Sequence, residues 1–132
     1  MTDATTLVLK RSEPIDFIVA DGTAIEKGAI CMISGPRTAA TNTGTGDVFA
    51  GIARREKTAT DGRTRLALFT GPGDIFRMTA AAGPTIAAGS LVATSGPGVI
   101  RLATSAEHIL GKSIGKALEE MTTGAVGEVM LC

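Results

Sequence analysis

The 132-residue chain has no tryptophan and no tyrosine, and four phenylalanines are its only aromatic residues. Barrels that bind single-stranded nucleic acid stack bases on aromatic side chains, so that class is disfavoured from the start. Long stretches free of glycine and proline are also missing: 17 Gly and 5 Pro punctuate the chain, and the longest interior stretch without either is Val99–Leu110. Long helices are thereby excluded almost everywhere. Neither sign of charge is in excess, with 13 Lys and Arg against 13 Asp and Glu. No whole-molecule field draws the chain to nucleic acid or to an anionic membrane, and neither is expected as a partner. No apolar run approaches the roughly 18 residues of a spanning helix. Met1-Thr2-Asp3-Ala4 carries an acid where a signal peptide has bases, so the chain is expected to stay where it is made.

Cysteine and histidine are scarce too. Cys31 and Cys132 have no metal or redox spacing, and read as a buried small hydrophobe and a terminal thiol. His108 is the single histidine, so no imidazole cluster exists to hold a metal. No cofactor is expected.

What the chain does have is apolar and β-branched runs of strand length between turn signals, the pattern of an all-β protein. Strands are expected near Thr6–Lys10, Ile15–Ala20, Ala29–Ser34, Asp47–Arg54, Arg63–Phe69, Asp74–Thr79, Ser90–Thr94, Gly98–Ala103, Ile109–Leu118 and Gly127–Leu131. Asp21-Gly22 and Asp61-Gly62 suit turns at positive φ, and Gly-Pro recurs at Gly35-Pro36, Gly71-Pro72, Gly83-Pro84 and Gly96-Pro97. Ser105–Leu110, with Ser105 as its cap, offers the one short helix.

The sequence repeats itself. Ile25-Glu26-Lys27-Gly28-Ala29-Ile30 followed by Ser34-Gly35-Pro36 returns 61 positions later as Ile86-Ala87-Ala88-Gly89-Ser90-Leu91 followed by Ser95-Gly96-Pro97. Gly51-Ile52-Ala53 is echoed by Gly115-Lys116-Ala117, and Arg65-Leu66-Ala67-Leu68 by Glu128-Val129-Met130-Leu131, with the offset drifting to 64 and 63. Ile-x-x-Gly-x-[Ile/Leu] sets an apolar residue before a tight glycine turn and sends the next strand inward. Each half is too short to bury much surface alone. The expectation is one domain over residues 14–132, with related halves at about 23–70 and 84–132 pairing into one closed or nearly closed barrel.

Four constellations bear on function. Ala106–Ser113 fits the loose phosphate-loop spacing through Lys112 and Ser113, yet that loop must follow a parallel strand and open a helix, and Gly115 comes too soon. Glu119 and Glu120 are adjacent on a strand, point to opposite faces and cannot act as a carboxylate pair. Arg54, Arg55, Lys57, Arg63 and Arg65 bracket a hairpin turn and form a local basic edge, either a solvated tip or a dock for an acidic partner surface. Finally, Leu7-Val8-Leu9 precedes Lys10-Arg11 and Glu13-Pro14, where proline interrupts the chain before Ile15. Residues 1–13 therefore read as an extended N-terminal arm, either a first strand of the same domain or one that adds to another protein's sheet.

Together these features resemble the head decoration, or capsid cement, proteins of tailed bacteriophages and related viruses. The resemblance rests on the doubled element at Ile25–Ile30 and Ile86–Leu91, on Gly51-Ile52-Ala53 with Thr64-Arg65-Leu66-Ala67-Leu68-Phe69, and on the closing Ile114-Gly115-Lys116-Ala117-Leu118 and Gly127-Glu128-Val129-Met130-Leu131. It implies a non-enzymatic β-barrel or β-tulip domain, made in the host cytoplasm. Such a domain trimerises and sits on the outer surface of the expanded head, with the major capsid protein as its partner. It also implies that the arm reaches the capsid protein's strands, which falls here on Thr5, Thr6, Leu7, Val8 and Leu9. Two other classes compete. One is a small barrel that binds or carries a ligand, lacking here a Met-Lys-Met attachment site; the other is an enzyme acting through Lys112 and Ser113 or through Cys31.

Overall fold

Every pairing made by one group of five strands is made again by a second group. The computed structural model describes residues 5–10, 13–41, 48–70, 72–96, 98–109 and 112–131, apart from the side chain of His108. A short β1 (Thr6–Leu9) comes first. The first group is β2 (Ile15–Ile18), β3 (Ile30–Gly35), β4 (Thr38–Thr41), β5 (Phe49–Ala53) and β6 (Arg65–Phe69). The second is β7 (Ile75–Ala80), β8 (Leu91–Thr94), β9 (Val99–Leu102), β10 (Ser113–Ala117) and β11 (Val126–Leu131), with α1 (Ser105–Ile109) between β9 and β10.

Each group closes on itself. The first runs β2-β4-β3-β5-β6, with β2 pairing parallel to β4 and antiparallel to β6. The second repeats this with β7 parallel to β9 and antiparallel to β11. The two related halves thus form two barrels rather than sharing one. Closure removes most free strand edges, which is how a half of this size becomes a workable unit.

Register makes the equivalence quantitative. Ile15 opposite Leu68 recurs 61 positions on as Phe76 opposite Val129. Cys31 opposite Gly51 recurs as Val92 opposite Gly115, so the offset in β10 is 64, as the sequence echo indicates. In β11 it returns to 61, because the β5–β6 hairpin is three residues longer than the β10–β11 hairpin. Arg65 therefore matches Val126, not Glu128; the offset of 63 aligned leucines and methionine by type but missed the longer hairpin.

Two further expectations change. β4 was not anticipated, since Thr38-Ala39-Ala40-Thr41 has no large aliphatic residue to signal a strand, although its counterpart β9 does. The helix cap is Thr104 rather than Ser105. Thr104 Oγ1 accepts the Glu107 amide at 3.2 Å, while Glu107 Oε1 accepts the Thr104 amide at 3.0 Å, a reciprocal capping box.

The first barrel is filled by Val19, Ile25, Cys31, Leu66, Leu68 and several alanines. The second holds Phe76, Met78, Ile86, Val92, Ile100, Ile114 and Met121, and its cluster continues into Ile30, Ile52 and Phe69 of the first half. Those three face each other through register, Ile30 opposite Ile52 and Ile52 opposite Phe69. They form an apolar row that joins the barrels. Phe69 meets Phe76 edge to face, with ring centroids 5.6 Å apart at 61°.

Candidate functional site

Thr5 to Leu9 lie across the junction of the two barrels. β1 pairs antiparallel with the first part of β7, Thr6 opposite Arg77 and Leu7 opposite Phe76, with a bulge before Leu9 opposite Ile75. Thr5 is buried, and its Oγ1 donates to the Gly28 carbonyl at 2.7 Å. Gly28 takes φ 80°, and a Cβ there would run into the Thr5 backbone. Thr5 thus clasps the first barrel while Thr6–Leu9 extend the second barrel's sheet, above a cleft of about 390 Å³ reaching Phe69 and Phe76.

β1 stands at the end of its sheet order, and β7 is its one strand partner among the described residues. Leu7, Val8 and Leu9 are 40%, 44% and 48% exposed. Three consecutive exposed aliphatics on an edge strand are what soluble proteins usually avoid, so the strand is chemically suited to pair again. The parts of the arm at residues 1–4 and 11–12 lie outside the described residues.

The basic residues divide. Arg54, Arg55, Arg63 and Arg65 are exposed and line an open cleft of about 420 Å³ with Asp16 and Leu66. Lys57 does not join them, because its side chain is wholly buried. Its Nζ donates to the carbonyls of Asp21 at 2.7 Å and Thr58 at 3.2 Å, and lies 3.3 Å from the Asp61 carboxylate and 3.7 Å from that of Asp21. A buried ammonium must be paired in this way. Asp61 Oδ1 also accepts the Arg63 amide at 2.9 Å, which with the nearby Lys57 holds its carboxyl below the ordinary range. Asp21 Oδ1 accepts the Gly62 amide at 2.7 Å. Lys57 is therefore the anchor of the hairpin that displays the arginines. The sequence carried a signal for this: the offset of 64 aligns Lys57 with Met121, an interior position.

The remaining candidates separate. Ser113 opens β10 and Lys112 precedes it, so lysine and hydroxyl lead into a strand, with α1 before them rather than after. A carrier lysine must swing into solvent, and Lys57 at the hairpin base is held inside. Cys31 is buried, its thiol pushed up to about 12 by desolvation, far from the thiolate a nucleophile needs. Cys132 and the His108 side chain lie outside the described residues. Among the described residues no group of three His, Cys, Asp or Glu could hold a metal ion, and no helix is long and apolar enough to cross a membrane.

Compared with models of known protein families and with curated protein sequences, the chain matches none.

Proposed function

We propose that the chain is a non-enzymatic capsid decoration protein that binds the outer surface of an assembled viral head and stabilises it. The observation that carries this reading is β1, an edge strand with exposed Leu7, Val8 and Leu9 whose strand partner among the described residues is its own β7. A partner strand from the major capsid protein would add to that edge, main-chain hydrogen bonds giving affinity and the aliphatic side chains giving fit. The resemblance drawn from the doubled Ile-x-x-Gly element and the closing segments supports the choice of partner, and implies a trimer. Binding only the assembled, expanded shell stabilises it by mass action, and many weak sites on one shell act together.

The test is cosedimentation with expanded, undecorated heads of the source virus. Saturation near one copy per capsid-protein subunit is expected, with binding lost when residues 2–9 are deleted. Unchanged binding by that deletion would remove the arm from the mechanism. Absence of binding by the intact chain at low salt would overturn the reading.

A further inference from the structure

Four arginines line one cleft of the first barrel, and none has an arginine counterpart on the second. Arg54 and Arg55 correspond in register to Leu118 and Glu119, and Arg63 and Arg65 to Gly124 and Val126. The second barrel closes through the same pairings without them, so the fold calls for arginine at none of these places.

Register sets the layout of the cleft. Ala67 of β6 lies opposite Asp16 of β2, and on its other side the Arg54 amide donates to the Ala67 carbonyl at 3.0 Å. Arg65, two residues back along β6, shares the outward face of Ala67. Ala67 thus floors the open cleft of about 420 Å³ that the four arginines line with Asp16. On the second barrel the same position is Glu128, a longer side chain in the place that Ala67 leaves open.

The positive charge of the cleft is not cancelled from within. Among the described residues none of the four guanidinium groups is ion-paired. The hairpin's nearest acids, Asp21 and Asp61, are held by Lys57 and by the Gly62 and Arg63 amides. Glu56 is exposed and stands outside the lining. With Lys57 buried beneath it, the hairpin presents its arginines on a fixed support, which lowers the cost of ordering them around a ligand.

Two observations select the ligand. Arg54 borders this cleft and also the junction cleft, which Lys27 lines, so cations continue from one cleft into the next. That layout suits an extended chain of carboxylates better than one compact phosphate. Asp16, inside the lining, repels a ligand that offers only anionic oxygens. It accepts N–H groups, which a polypeptide backbone supplies and a phosphodiester backbone lacks. No aromatic side chain lines this cleft to stack a base.

We propose that the cleft binds an extended acidic segment of a partner protein, with its carboxylates on the four arginines and a main-chain amide on Asp16. Arg54 leads the segment on toward Lys27. The site is separate from the exposed edge of β1, and the inference stands without the capsid reading.

Fluorescence polarisation is the test: a peptide of glutamates alternating with serines, labelled with an uncharged dye, is titrated with the full chain. Saturable binding at low salt is expected, weakening about tenfold or more as salt is raised to physiological strength. Arg65→Glu should weaken binding about tenfold or more. Lys116→Glu changes the net charge equally but outside the cleft, and should stay within about twofold of wild type. Both positions are exposed, and the matching places on the other barrel are Val126 and Ile52, so both variants should keep wild-type circular dichroism. Should Arg65→Glu unfold, Arg55→Gln is expected to weaken binding about threefold or more. Unlabelled oligothymidylate and tripolyphosphate should each compete about tenfold less well than unlabelled peptide. No binding at low salt, wild-type binding in the arginine variants, or an equal loss in Lys116→Glu would overturn the site. Competition by oligothymidylate or tripolyphosphate as strong as the peptide's would overturn the choice of a protein segment as its ligand.

Discussion

Lys57 and Met121 occupy the same place in the two barrels. Lys57 exchanges two backbone hydrogen bonds with Ile25, both 2.8 Å, and Met121 exchanges the same pair with Ile86 at 2.9 and 2.8 Å. Both side chains are buried. The methionine simply fills space, while the lysine fills it and ties Asp21 and Asp61 to the base of a longer hairpin. Lys57→Met should therefore cost about 1–2 kcal/mol: the methionine fills the space, but the Asp21 and Thr58 carbonyls lose their donor and Asp61 loses its cation. Lys57→Ala should lose about 2–4 kcal/mol through the cavity. Urea unfolding midpoints measure both, and equal losses in the two variants would contradict this account.

Glu107 joins the helix cap to β9. Hydrogen bonds from the Arg101 guanidinium, with help from Thr104, hold its carboxyl down to about 2 from an ordinary 4.5. A carboxyl lowered in the folded state stabilises above its unfolded value and loses that contribution as pH falls through the folded one. The contribution of Glu107 should thus disappear between about pH 5 and pH 2. Thermal unfolding of wild type and Glu107→Gln over this range should show the variant lower at neutral pH and the two curves converging near pH 2. Parallel curves would remove the ion pair from the pH dependence.

Two glycines of the second barrel should respond differently to alanine. At Gly115 a Cβ would collide with the backbone of Met130 and Leu131, where β10 and β11 approach closely. Gly115→Ala should cost more than about 3 kcal/mol or prevent folding. At Gly89 the space is open and the constraint is the φ of 86° alone, so Gly89→Ala should cost about 1–2 kcal/mol. Denaturation midpoints in that order support the assignment; the reverse order contradicts it.

Cys31 gives a readout of global opening. Its thiol is buried, with Sγ 3.6 Å from the Ala29 carbonyl oxygen, and its pKa is raised to about 12. In a Cys132→Ser background, reaction with a thiol reagent at pH 8 should be negligible in the folded protein and complete in denaturant. Rapid labelling without denaturant would show that the first barrel opens locally.

The sequence made the repeat legible because its glycines sit where the fold needs them. Gly51 and Gly115 each stand where a Cβ would strike the neighbouring strand. Gly28 and Gly89 each turn the chain at positive φ before a strand. Small residues carried less signal: the strand Thr38–Thr41 is visible only by analogy with Val99–Leu102. Whether two halves share one barrel or close two depends on long-range pairing of β2 with β4 and β7 with β9, which no local pattern encodes. At the candidate site, the exposed aliphatics of the arm and the four arginines were readable as composition. The burial of Lys57 was signalled only through the repeat, which sets it where Met121 stands; on its own a charge run signals solvent until Asp21, distant in sequence, and Asp61, four residues on, are placed beside it.

The shared apolar row has a mechanical consequence. β6 ends at Phe69 and β7 begins at Ile75, and across that short span Ile30, Ile52 and Phe69 are continuous with the second barrel's interior. A close-packed interior has low compressibility and transmits strain. The two lobes therefore behave as one stiff strut, and β1, bonded to β7 while Thr5 grips Gly28, laces the same joint from outside. Force applied to one lobe passes to the other without being absorbed by rotation between them.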